Sequence, residues 1–189
     1  PIYESKLMEE LQWLYRNPFR TVELELTPGK ERGLTDVLFH VKDKPPIRTY
    51  GGYEDTGNRA TQLERLFVGI NWYNALWQDD SAGYQYTTSP EFGRLSSHSM
   101  FYTHALPNRD VLAIYGNTAD FIAETPGFAP SDGEAHQVLL RWNRRLEPIG
   151  DYEHNVTGGL DWKQSISALE FGPGIVFGGT FDVFQFLLG

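Results

Sequence analysis

Five histidines, His40, His98, His104, His136 and His154, are the residues of this chain best suited to acid–base or metal chemistry. His98 and His104 lie six apart, an even spacing that puts them on one face of a strand about 20 Å from each other, too far to share a metal. A two-histidine phosphoesterase needs a hydroxyl two residues after each histidine, and here Met100 and Leu106 stand there. A serine hydrolase needs Gly-x-Ser-x-Gly at a strand-to-helix elbow, which is absent. Ser131, Asp132 and His136 are close in sequence only, and SDGEAH reads as a polar turn leading into a strand at Gln137. Gly172, Gly174 and Gly178 form a GxGxxxG run, but the residues after it are strand-like, so no helix N-terminus is offered to a phosphate. Gly-Pro-Gly is then expected to be a turn and Gly178-Gly179 a bulge or second turn. Asn155-Val156-Thr157 fits a glycosylation acceptor without a secretory context. Glu23 and Glu25 share the solvent face of a strand, and Asp79-Asp80 close a helix. No catalytic, cofactor-binding or metal residue emerges from this survey.

Any such group has to be positioned by elements the periodicity must supply. Ser5 is placed to cap a short helix carrying Leu7, Leu11, Leu14 and Tyr15, ended by Asn17-Pro18. Val22, Leu24 and Leu26 alternate with polar residues as a half-buried strand, with Val37, Phe39 and Val41 as its hairpin partner. Residues 44–58, with Pro45-Pro46 and Gly51-Gly52, read as a long loop, and within it RTYGGYEDTGNR resembles an adaptable contact surface bearing Tyr50 and Tyr53. Leu63, Leu66, Phe67, Ile70, Tyr73 and Trp77 form the stripe of a longer helix. Beyond Asp80, strand-like runs are expected at Tyr84–Thr88, Ser99–Ala105, Val111–Tyr115, Gln137–Leu146, Ser165–Phe171 and Phe181–Leu188. Ala119–Glu124 reads as a short helix or as continued strand. The fold class is therefore α+β: one domain over residues 1–189, with a mainly antiparallel sheet or barrel-like core, a short N-terminal helix and one longer central helix.

Composition limits the partners. The 189 residues carry a net charge of −9, no cysteine and 14% aromatic residues. Cysteine chemistry is excluded, and an acidic chain with scattered cations is a poor ligand for nucleic acid. No apolar run of about 18 residues occurs and PIYESKLMEE lacks a leader pattern, so the expectation is a soluble protein with no membrane contact. The C-terminal stretch FGPGIVFGGTFDVFQFLLG puts Phe181, Val183 and Leu187 on one face and Phe184, Phe186 and Leu188 on the other, and both faces call for burial.

In layout, a helix SKLMEELQWLYRNP, an acidic strand pair, a longer helix and β-rich segments, the chain resembles the small neck and tail proteins of tailed bacteriophages. That resemblance implies a non-enzymatic, homo-oligomeric ring in the virion, associated with other structural proteins of the assembly, with Glu23 and Glu25 facing a DNA channel. Tyr50, Tyr53, Phe181, Val183, Phe184, Phe186 and Leu188 are the corresponding interface candidates. The alternative is a cytoplasmic enzyme or small-molecule binder. Trp72, Trp77, Tyr84, Tyr86, Phe101, Tyr102 and Trp142 would line its pocket, and His98 or His104 would act as acid or base.

Overall fold

The computed structural model describes residues 3–76, 79–124, 129–147, 149–150, 152–171 and 174–189, with the backbone alone for 168–171 and 174–177. The chain divides into two compact units, Pro1–Ile47 and Arg48–Gly189. In the first, helix α1 (Glu4–Leu14) precedes the antiparallel hairpin of β1 (Arg20–Pro28) and β2 (Thr35–Asp43), in register from Arg20↔Asp43 to Pro28↔Thr35. Ser5 lies inside the helix, whose N-cap is Tyr3 without a side-chain cap. Tyr15 donates its hydroxyl to the Val22 carbonyl at 2.6 Å, tying the end of the helix to β1 where Val22 is buried.

The second unit is one antiparallel sheet of eight strands whose spatial order is their order in the chain. They are β3 (Ile47–Glu54), β4 (Arg65–Tyr73), β5 (Ser81–Thr88), β6 (Leu95–Ala105), β7 (Val111–Ala123), β8 (Ser131–Arg145), β9 (Asn155–Phe171) and β10 (Gly174–Leu188). β3 and β10 are the outer strands. The expected longer helix is not there: its stripe from Leu66 to Tyr73 lies in β4, in register with β5 from Leu66↔Thr88 to Tyr73↔Ser81, and Leu63 precedes the strand. Leu66, Ile70 and Tyr73 do fall at helical spacing, but Val68, Ile70 and Trp72 fall equally at strand spacing, and pairing with β5 decides for the strand. The fold is therefore mostly β with a single short helix among the described residues, not α+β with a central helix. Trp77 lies outside the described residues.

Other expectations change with it. The long loop contains β3, whose Gly51 and Gly52 lie flat against Phe67: a Cβ on Gly52 would meet that ring at 2.7 Å. Ala119 to Ala123 continue β7, and SDGEAH is the start of β8, opposite Ala123 to Thr118. Gly178 and Gly179 sit in continuous pairing with Ala168 and Ser167, the register irregularity falling between Ile175 and Phe177. Of the expected Gly-Pro-Gly turn, Gly172 and Pro173 lie outside the described residues.

Burial in this chain runs opposite to that of a water-soluble protein. The buried apolar residues among those described are Val22 and Ala75, whereas Thr61, Arg65, Asp80, Thr88, Ser89, Asp110 and Asp161 are buried and polar. Large apolar side chains of the sheet are left in the open, Val68, Met100 and Phe186 among them. A soluble sheet packs at least one apolar face against something.

Candidate functional site: two faces of one sheet

Because directly paired residues share a face, the register sorts every strand's side chains into two sets. One set forms rows across the sheet. Ile70, Tyr84, Met100, Gly116, Val138, Trp162 and Phe184 are successive partners, and so are Trp72, Ala82, Tyr102, Ile114, Leu140, Leu160 and Phe186. These two rows carry no formal charge across seven strands. Met100 is 57% exposed, Val138 48% and Phe184 73%. They form one continuous apolar face.

The opposite face is polar. Its central row runs Gly69, Gln85, Ser99, Asn117, Gln137, Lys163 and Val183. Tyr50 donates its hydroxyl to Gln85 Oε1 at 3.1 Å, and Asn117 Nδ2 donates to Ser99 Oγ at 2.7 Å and Ser97 Oγ at 3.1 Å. Gln137 Nε2 donates to Asp161 Oδ1 at 2.8 Å, and Lys163 Nζ lies 3.0 Å from Asp161 Oδ2. Amide and hydroxyl groups dominate, and their bonds run between neighbouring strands. Aromatic rings on this face lie over glycines of the adjacent strand: a Cβ on Gly83 would sit 2.2 Å from the Phe101 ring, and one on Gly133 2.5 Å from that of Phe121. Such pairs let a large ring lie across the neighbouring strand, where any side chain would block it.

The residues singled out from sequence are dispersed. His98 and His104 lie on the apolar face of β6. His98 Nδ1 is 2.6 Å from the Tyr84 hydroxyl, its ring 5.0 Å from that of Tyr86, and His104 stacks beside Tyr102. The aromatic pocket is not formed, because Tyr84, Tyr86, Tyr102, Trp72 and Trp142 belong to the apolar face and Phe101 to the polar one. Among the described residues nothing encloses a substrate near either histidine, and the enzyme alternative is not supported. Tyr50 points to the polar face, and the Tyr53 hydroxyl donates to Glu64 at 2.9 Å. Phe181 and Val183 share the polar face, and Phe184, Phe186 and Leu188 the apolar one, all on the outer strand β10. Glu25 pairs with His40 at 2.9 Å rather than lining a channel.

Sequence reasoning placed Asp79-Asp80 at the close of a helix, where the structure has the connection before β5, and passed over Asp110. Asp80 and Asp110 are buried at the ends of the β4–β5 and β6–β7 turns, where Asp80 accepts from the Tyr102 hydroxyl and Asp110 from Trp142 Nε1, each at 2.9 Å. Their signal was the same in both places: an aspartate two residues before a strand position whose partner is Tyr or Trp.

A consecutive antiparallel meander with one apolar, exposed face and one polar, hydrogen-bonded face has the pattern of a transmembrane β-barrel wall. The fold neighbours agree. CdiB from Escherichia coli superposes with a TM-score of 0.78 at 19% identity, over 97% of this chain and 35% of its own. BamA from Haemophilus ducreyi lacking POTRA domains 1-3 gives 0.62 at 14%, over 96% and 37%. CdiB from Acinetobacter baumannii gives 0.61 at 16%, over 99% and 41%. The chain thus spans well under half the length of these neighbours. No protein-family model matches the sequence, and neither does any curated protein.

The neighbours are outer-membrane β-barrels of the Omp85 and TpsB type. This likeness and the two-faced sheet overturn the bacteriophage resemblance. With it go the homo-oligomeric virion ring, the cytoplasmic alternative and the expectation of a soluble protein without membrane contact. The missing apolar run of about 18 residues excludes only helical spans; no described helix is long or apolar enough to cross a membrane, which says nothing of strands.

Proposed function

We propose that this chain forms part of the wall of an outer-membrane β-barrel that moves polypeptides into or across that membrane. The observation that carries the membrane reading is the uncharged double row from Ile70 and Trp72 to Phe184 and Phe186 backed by an amide and hydroxyl face. In hydrocarbon, an unpaired strand edge leaves a line of unsatisfied N–H and C=O groups, so β3 and β10 are to be paired with further strands. Two observations support polypeptide as cargo. One is the fold likeness to CdiB and BamA, which are outer-membrane transporters and assembly factors. The other is the inner face of β5, β6 and β7, where Gln85, Ser97, Ser99 and Asn117 offer neutral donors and acceptors of the kind a peptide backbone uses.

The absence of cysteine makes the test direct. Single cysteines placed along β8 from Gln137 to Trp142, in the whole protein in its own membrane, are spin-labelled and probed with oxygen and a water-soluble relaxant. Oxygen access should peak at 138, 140 and 142 and relaxant access at 137, 139 and 141. A photo-crosslinker at Asn117 should capture polypeptide where one at Ile114 captures lipid. Loss of the period-two pattern overturns the wall, and a pattern without polypeptide adducts at 117 overturns the cargo.

A further inference from the structure

On one rim of the sheet the same arrangement occurs twice. The β4–β5 turn closes with the Asn74 N–H bonded to the Asp80 carbonyl at 2.6 Å, and the β6–β7 turn with the Leu106 N–H bonded to that of Asp110 at 2.8 Å. Each aspartate side chain then turns back into its own turn. Asp80 accepts from the Leu76 N–H at 3.0 Å and Asp110 from Asn108 Nδ2 at 2.9 Å. Each also takes the polar atom of an aromatic ring from the next strand. Ala82, two residues after Asp80, is the register partner of Tyr102, and Leu112, two after Asp110, that of Trp142. The third connection on this rim, between β8 and β9, closes with a like bond from the Leu146 N–H to the His154 carbonyl but has no aspartate at that place.

An aspartate this buried is costly unless fully bonded, and both are held by donors from two elements. The aromatic rings they hold stand where the apolar rows end. Beyond Trp142 on the same face comes Arg144, its side chain half exposed and 3.7 Å from Asp110 Oδ1. Apolar body inward and polar tip outward is what Tyr and Trp do at the edge of a bilayer.

We infer that this rim is where the outer face leaves the bilayer, with the rings of Tyr102 and Trp142 held in the headgroup layer of one leaflet by Asp80 and Asp110. The inference rests on the membrane reading above and adds a depth to it. The occupant is a lipid surface because the rings continue the apolar rows without a break. Trp162, four register positions from Trp142, is then about 14 Å farther along the strands and about 10 Å deeper at the usual barrel tilt.

Two whole-protein variants, one keeping Trp142 as sole tryptophan and one keeping Trp162, are placed in phosphatidylcholine vesicles brominated either near the headgroup or near the chain end. Trp142 should be quenched at least twofold more by the shallow bromines and Trp162 more by the deep ones. Quenching of neither overturns the membrane reading itself. Equal shallow and deep quenching of Trp142, with Trp162 still deep, overturns only the boundary. Trp142 unquenched beside a quenched Trp162 means that a protein partner, not lipid, covers the rim, and overturns it too. In the Trp142 variant, Asp110→Asn keeps an acceptor oxygen and should keep the profile, whereas Asp110→Ala should flatten it while leaving the Trp162 profile unmoved. An unchanged profile in Asp110→Ala refutes the positioning role.

Discussion

Exchanging neighbouring residues of β8 for arginine separates a lipid-facing wall from a water-exposed sheet by the size of the effect. Val138 is 48% exposed and lies in the apolar row with Trp162, while Leu139 faces the other way, directly opposite Asp161. Val138 stands about 14 Å along the strand from Trp142, which at a tilt of about 40° is about 10 Å below the boundary, in the deeper of the two uncharged rows and next to the row of His136. Arginine on the lipid face at that depth costs about 2–4 kcal/mol. Val138→Arg should therefore lower the folding constant by roughly a hundredfold, and shift a urea midpoint by about 1–2 M at an m value near 2 kcal/mol/M. Leu139→Arg places its guanidinium beside a carboxylate already served by Gln137 and Lys163, and should stay within about 0.5 kcal/mol. The assay is reversible urea unfolding of the whole protein from vesicles, followed by tryptophan emission. On a water-exposed sheet Val138→Arg would be neutral. A cost below about 0.5 kcal/mol, or one equal to that of Leu139→Arg, refutes the lipid-facing assignment.

Packing and pairing set two further outcomes. Gly83→Ala drives a Cβ into the Phe101 ring and to 2.7 Å from Asn71 Oδ1, and should cost about 1–3 kcal/mol by urea unfolding. In a Phe101→Ala background the same change should be nearly free, and simple additivity would disprove the ring-over-glycine account. In the first unit, outside the spanning strands, Arg20 bonds both carboxylate oxygens of Asp43 at 2.9 and 3.2 Å, and this hydrogen bonding holds the Asp43 carboxyl below its ordinary value. A carboxyl whose value falls on folding contributes stability above the unfolded-state value and loses it as pH falls through the folded one. Asp43 is half exposed, so the gain is at most about 0.5 kcal/mol, weakened by salt. Proton-detected titration should find the Asp43 midpoint raised in Arg20→Ala, and an unchanged midpoint would discard the pairing.

What was legible in the sequence divides along a physical line. The hairpin of Val22 to Leu26 with Val37 to Val41 and the two-faced C-terminal strand could be read because their alternation lies within a few consecutive residues. β4 could not. A barrel wall meets lipid on one side and a hydrated interior on the other, and aromatic residues suit both, so Phe67 and Tyr73 face inward while Ile70 and Trp72 face outward, filling helical spacings as readily as strand ones. β3 was hidden because Gly51 and Gly52 read as a loop; the reason for Gly52 lies on the next strand, in the Phe67 ring. The start of β8 was hidden because Asp132, Glu134 and His136 face outward beyond the apolar rows, so alternation fails there although pairing continues. The informative unit is the row across strands, whose members lie some 14 to 24 residues apart, as Ile70, Tyr84, Met100, Gly116, Val138 and Trp162 do. No window along the chain contains that row, yet its lack of charge separates a lipid face from a pocket lining. A pocket needs aromatic rings to converge on a point, whereas these are held in line by register, and a line of apolar side chains that no other strand of its own sheet covers calls for a solvent that is itself apolar.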